Sequence, residues 1–205
     1  MKIIKDALPE ELLSFCVDVY EKLDPDKFSP AFMWWDDVLR DGQTASPFVA
    51  PVPSNVVDRL LPEIREHVWI WEGDFEFSFQ YYLWGPNSGI GIHNDGIYDV
   101  GATLYLNDFP LNYGGLFVYE DVDNDLKVVA PTRNTLVVND QKERHLVTTV
   151  SSQAKFPLLR EALNSGMCVA ESLNVLWDED TKAIFAAIIS FWFGSRAIDK
   201  ARNKG

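Results

Sequence analysis

Ser88-Gly-Ile-Gly-Ile-His93-Asn-Asp95-Gly-Ile-Tyr98 is the stretch that decides the reading of this chain, and Glu143-Arg-His145-Leu-Val-Thr-Thr-Val150 answers it further along. On an extended strand, side chains two residues apart point to the same face. His93 and Asp95 therefore present an imidazole and a carboxylate side by side, about 7 Å apart along the backbone. A second imidazole, His145, delivered by a neighbouring strand, would complete a set of two histidines and one carboxylate. Such a set covers one face of an octahedral metal and leaves the other face open. The chain holds 3 histidines, and this hypothesis uses two of them. A lone His-x-Asp is weak, since the triplet often marks only a polar turn. A lone His heading an apolar strand is more often a satisfied structural residue than a ligand.

What lies between the two stretches strengthens the case. Gly101-Ala-Thr-Leu-Tyr105-Leu-Asn-Asp108 alternates as a strand, and Gly114-Gly-Leu-Phe-Val-Tyr119 follows as another. Leu126-Lys-Val-Val-Ala and Asn134-Thr-Leu-Val-Val138 come next, separated by Pro131. Short strands punctuated by turn signals at this spacing predict an antiparallel barrel or jelly roll. Ahead of them, Phe75, Phe77, Phe79, Tyr81 and Leu83 share one face of a strand, and Glu76, Ser78, Gln80, Tyr82 and Trp84 the other. The apolar face is expected under N-terminal helices and the mixed face inside the barrel, where polar groups need partners or ligands.

The residues Tyr82-Leu-Trp-Gly-Pro-Asn-Ser-Gly-Ile-Gly-Ile-His-Asn-Asp95, Thr103-Leu-Tyr-Leu-Asn107, Gly114-Gly115 and Thr135-Leu-Val-Val-Asn-Asp140 leading to His145 resemble the 2-oxoglutarate/Fe(II)-dependent oxygenases, in their prolyl-4-hydroxylase-like branch. The resemblance covers residues 75 to 155 and, more loosely, the C-terminal strand. It implies a mainly β fold with N-terminal helices: a double-stranded β-helix, jelly-roll or cupin-like, buttressed by two or three α-helices. It implies one domain over 1–205, helical to about residue 68 and barrel from about 69 to 195. His93, Asp95 and His145 become ligands of Fe(II), with 2-oxoglutarate and O2 as co-substrates and ascorbate as a candidate further cofactor.

The resemblance also implies a partner for the far carboxylate of 2-oxoglutarate, because a buried carboxylate without one is costly. Lys155 has the spacing, although Phe156-Pro157 would interrupt a ladder strand. If residues 151–182 are inserted instead, Ala183–Phe193 is the next strand. The basic position then falls on Ala186, with Lys182 further out. Tyr105 matches a position where relatives place a tyrosine hydroxyl on that carboxylate. Another common tyrosine is replaced by Trp84, and Tyr82, which faces the same way, is the candidate substitute.

Composition sets outer limits. The 205 residues suffice for one domain with a sizeable core. With 47% hydrophobic and 24% charged residues, the chain is of ordinary globular composition. A formal net charge of -13 repels a phosphate backbone and argues against general nucleic-acid binding. The two cysteines, Cys16 and Cys168, lack metal or redox spacing, and Cys16 is expected to be buried and inert. No secretory leader or membrane-spanning run is read, so a cytoplasmic protein is expected.

In chain order, residues 8–23 predict a helix with Leu12, Cys16, Val19 and Leu23 as its apolar stripe. Ser29–Arg40 is a candidate short helix carrying Trp34 and Trp35. Ser54 is expected to cap a second long helix ending at His67, striped by Val57, Leu61, Ile64 and Val68 and open to splitting at Pro62. His67 is read as structural. The loop 108–113 is either a rim over the site or a packed connector, and 120–125 is an acidic solvated turn. Lys155–Leu163 is a candidate helix or covering loop, Met167–Trp177 a candidate strand, and Arg196–Lys204 a basic tail.

Three functions compete. The first is an oxygenase hydroxylating a protein side chain such as prolyl, or a small amino-acid-like molecule, with release of succinate and CO2. The second is a cupin-like metal-dependent isomerase or lyase, and the third a non-enzymatic barrel that binds a ligand. The expected partner is a peptide, protein or small-molecule substrate; the sequence does not specify an oligomeric state.

Overall fold

Most of the described chain is organised by the period-two alternation of its strands. The computed structural model describes residues 1–31, 47–68, 75–96, 99–109, 111–151 and 186–195. Its strands form two antiparallel sheets. The larger contains β1 (Lys2–Ile4), β2 (Ser29–Pro30), β3 (Phe48–Pro51), β4 (Phe75–Trp84), β6 (Val100–Tyr105), β9 (Leu136–Asp140) and β11 (Ala186–Ser195). Their order is β1-β9-β6-β11-β4-β3-β2. The smaller sheet contains β5 (Ile90–His93), β7 (Phe117–Glu120), β8 (Leu126–Val129) and β10 (His145–Val147), in the order β5-β10-β7-β8. From β4 to β11 the chain passes back and forth between the sheets, and only the β7–β8 hairpin joins strands that are consecutive and paired.

Two helices are described, α1 (Glu10–Glu21) and α2 (Ser54–His67). On α1 the buried positions are Leu12, Leu13, Cys16 and Tyr20, so Val19 and Leu23 of the expected stripe are only part-buried. On α2 the stripe is Val56, Leu60 and Ile64, one residue earlier than Val57 and Leu61 would have it. Pro62 does not split α2. It lies on the exposed side together with Asp58, whose carbonyl is the one a proline at 62 leaves without a helical partner. Ser54 is the first helical residue and Pro53 the cap. The Tyr81 face of β4 lies beneath α1, as its alternation predicts: the Tyr81 hydroxyl donates to the Cys16 carbonyl at 3.4 Å, and its ring centroid is 5.4 Å from that of Tyr20. Phe77 on the same face is 44% exposed.

The N-terminal strand β1 carries no signal in its Lys-Ile-Ile sequence and forms through pairing with β9, Lys2 opposite Val138 and Ile4 opposite Leu136. Asn134 fixes the following segment. In a left-handed conformation (φ 61°), its side chain both accepts from the Leu8 amide and donates to the Leu8 carbonyl at 2.9 Å. Ser29–Pro30 is strand rather than helix, while residues 32–40, with Trp34 and Trp35, lie outside the described residues. So do the stretches 155–163, 167–177 and 196–204 and the residue Cys168. Among the described residues no helix is long and apolar enough to cross a membrane.

Candidate metal centre

His93 and His145 sit directly opposite each other where β5 pairs with β10, which puts both imidazoles on one face of the smaller sheet. Their ring centroids are 4.4 Å apart, and Phe117 of the adjacent β7 stacks on the His145 ring at 5.1 Å and 11°. The register breaks immediately beyond, with Val147 opposite Ile90, a bulge of the kind that re-aims side chains beside sites. Asp95, just past the end of β5, reaches across to the larger sheet. Its Oδ1 is 3.8 Å from His93 Nε2 and its Oδ2 3.8 Å from His145 Nε2. One ligand atom from each of the three lies within 4.8 Å of the others. A gap of 3.8 Å is too long for a hydrogen bond.

The backbone fixes the tautomer of both rings. His93 Nδ1 lies 2.8 Å from the Gly91 carbonyl, and His145 Nδ1 lies 3.1 Å from the Glu143 carbonyl. A carbonyl can only accept, so each Nδ1 carries the proton and each Nε2 keeps its lone pair toward Asp95. Burial lowers the pKa of both imidazoles, and for His93 the adjacent His145 lowers it further. Both rings are therefore neutral near pH 7, the state in which imidazole binds a metal. Two neutral nitrogens and one carboxylate, converging with an open side, are a donor set suited to a first-row divalent ion.

Asp95 is held by a residue to which the sequence reading gave no role. Asn139 Nδ2 donates to Asp95 Oδ2 at 2.8 Å, leaving Oδ1 toward His93. Asn139 stands opposite Gly101 across the β6–β9 pair. A Cβ on Gly101 would lie 2.6 Å from Asp95 Oδ2 and 2.9 Å from Asn139 Oδ1, closer than side chains approach. Glycine inside a strand signals close approach of another group, and here that group is the Asp95 carboxylate. That signal was readable in the sequence; the bond from Asn139 was not.

A cleft opens from the three side chains along the larger sheet. Its lining includes Tyr82, Trp84, Thr103, Tyr105 and Phe117. No described residue of the loop 107–115 takes part. That loop buries Phe109 against Tyr113, the packing expected of a connector. The acidic turn after β7 is a solvated hairpin in which Lys127 Nζ meets Asp121 at 3.2 Å. His67 is structural, its Nε2 3.1 Å from the Ala7 carbonyl.

No family model matches the sequence, and no curated protein matches it either. Solved structures do. A prolyl-4-hydroxylase from Pseudomonas putida superposes with a TM-score of 0.62 at 16% identity, over 96% of this chain and 92% of that one. A prolyl hydroxylase from Trichoplax adhaerens, in complex with a hypoxia-inducible-factor peptide fragment, gives 0.61 at 13% identity, over 100% and 86%. The non-haem α-ketoglutarate-dependent epimerase SnoN of nogalamycin biosynthesis gives 0.60 at 9% identity, over 94% and 76%. The chain has the fold of the 2-oxoglutarate/Fe(II) oxygenases.

Within that fold, Tyr82 and Tyr105 both line the cleft, and burial raises the Tyr105 hydroxyl well above its usual range, so it is a neutral donor. Among the described residues no Lys or Arg lines the cleft. Lys155 and Lys182 lie outside the described residues. After β10 the next described strand is β11, beginning at Ala186, which stands opposite Trp84.

Proposed function

We propose that this protein is an Fe(II)- and 2-oxoglutarate-dependent dioxygenase that hydroxylates a C–H bond of a peptide, possible targets including prolyl, or of a small amino-acid-like molecule. The observation that carries the reading is the convergence of His93, Asp95 and His145 with both Nε2 lone pairs turned inward. The fold of the neighbours supports it, one of them holding a peptide. The two sheets are read as the two faces of a double-stranded β-helix, and Lys155 or Lys182 as the cation for the co-substrate, with Tyr105 and Tyr82 as hydroxyl donors.

When bound, iron and 2-oxoglutarate supply the oxidising power for C–H hydroxylation, with O2 as oxidant and succinate and CO2 as by-products. The chain's own part is positional. His93 and His145 offer neutral nitrogen, and their Nδ1–H bonds to Gly91 and Glu143 stop the rings from turning away. Asn139 keeps the Asp95 carboxylate from swinging, and Gly101 gives it room. Phe117, Ile90 and Val147 make a dry wall that strengthens each of these contacts.

The test is succinate formation by purified protein that requires both Fe(II) and 2-oxoglutarate and is abolished in His93→Ala and His145→Ala. Turnover that needs neither would sink the reading. SnoN shows that this fold also carries an epimerase; a product heavier by one oxygen atom separates hydroxylation from that outcome.

A further inference from the structure

Trp84 closes β4 and lines the cleft, is 5% exposed, and stacks on Tyr82 at 6.1 Å and 19°. Its Nε1 is buried, and among the described residues no acceptor meets it. An indole N–H can only donate, and a buried donor left unmade costs its full desolvation. An oxygen acceptor brought by a ligand in the cleft would supply the missing bond.

The position of the ring fixes the end of the cleft at which that acceptor would sit. Gly101, beside Asp95, and Tyr105 lie on the same strand four residues apart, about 13 Å along β6. Tyr82 and Tyr105 both stand opposite Ile188 of β11, and Trp84 is the next like-facing position of β4, opposite Ala186. The far end of the cleft is thus the cluster Trp84, Tyr82 and Tyr105, with Thr103 on the way from the metal side. A molecule held at both ends offers one polar group to the metal side and another to this cluster. Several neutral donors at one end match the four lone-pair directions of a carboxylate better than the two of a carbonyl, and a charged acceptor makes each bond stronger.

We propose that the Trp84 indole N–H binds the far carboxylate of the 2-oxo dicarboxylate whose other end reaches the metal. This rests on the function proposed above. Trp84 is then the anchor that lets the site select a dicarboxylate over a 2-oxo acid lacking the second acid group.

The experiment uses the full chain loaded with Mn(II) under anaerobic conditions and titrated with 2-oxoglutarate and with 2-oxobutanoate. Wild type is expected to favour 2-oxoglutarate. Trp84→Phe, which keeps a ring but removes the N–H, is expected to weaken it by about tenfold to a hundredfold and leave 2-oxobutanoate unchanged. Trp84→Tyr, which restores a donor, should recover part of the loss. A second readout needs no variant. With Zn(II) in place of Mn(II), one of the 7 indole N–H resonances should move downfield with 2-oxoglutarate and stay put with 2-oxobutanoate. Equal losses for both acids, no loss for either, or seven unmoved indole signals would overturn the assignment. A wild type that takes up no metal overturns the oxygenase reading and this one with it. A wild type that binds 2-oxoglutarate tightly while Trp84→Phe is unchanged overturns only this one.

Discussion

Gly101→Ala is the sharpest probe of how the centre is built. The added Cβ would sit 2.6 Å from Asp95 Oδ2, 2.9 Å from Asn139 Oδ1 and 3.0 Å from Asn139 Nδ2. All three atoms are ends of side chains, so the strain can be relieved by displacing the carboxylate and its amide partner rather than the backbone. Gly101 lies inside β6, paired on one side with Asn139 and on the other with Trp192, and alanine is slightly favoured over glycine in that setting. Damage should therefore fall on the ligand geometry and spare the fold. Disturbing a group that orients a metal ligand costs about 10–100-fold in affinity, or about 1.4–2.7 kcal/mol. Calorimetric titration of Mn(II) into the metal-free protein reads the affinity, and thermal unfolding in EDTA reads the fold. The expected result is weaker metal binding with an unfolding midpoint within a few degrees of wild type. Unchanged metal affinity would refute the reasoning, and so would a variant that unfolds without any specific loss at the centre.

The same logic makes Asn139→Leu, which keeps the branched shape and removes the N–H donor, lose about 10–100-fold in Mn(II) affinity by the same titration. Both site imidazoles titrate below the 6.5 of a free histidine because they are buried. Between those lowered values and 6.5 the unfolded chain binds more protons than the folded one. Their contribution to metal-free stability is therefore intact above 6.5 and lost as pH falls through that window. Urea midpoints in EDTA should show this slope, and a His93→Gln/His145→Gln double variant should lack it; equal slopes would refute it. Metal affinity should fall over the same acid range, since protons compete for the Nε2 atoms. Cys16 is fully buried, and burial pushes its thiol up to about 12, so iodoacetamide should leave it unmodified in native protein at pH 8 while labelling it in urea. Labelling at equal rates in both states would contradict the packing of α1.

What the sequence reveals and what it hides divide along a physical line. Alternation and turn chemistry are local, so β4, β6, β9 and the β7–β8 hairpin can be read from neighbours a few residues apart. The pairing of His93 with Asp95 is legible for the same reason, although β5 ends at His93 and Asp95 follows just beyond it, so nearness in the chain rather than a shared strand brings the two together. Helix phase is less so. A stripe one residue off, as on α2, has nearly the same periodicity, and only the packing partner decides between Val56 and Val57. The short strands β1, β2 and β3 are formed by their partners, not by their own residues.

The centre itself follows this division. His145 could be nominated because histidines are scarce in the chain, whereas Asn139 is one asparagine among many until the register of β6 against β9 is known. That register puts the amide over a glycine, and only the missing Cβ lets Asp95 cross from the smaller sheet to meet it. The carboxylate is thus positioned by the larger sheet and the two imidazoles by the smaller one. A metal held by all three would tie the sheets together across the cleft. The ion should therefore raise the unfolding midpoint of wild type in proportion to the logarithm of its concentration and leave Asp95→Ala almost unaffected. An Asp95→Ala protein stabilised by Mn(II) as strongly as wild type would show that the ion sits elsewhere.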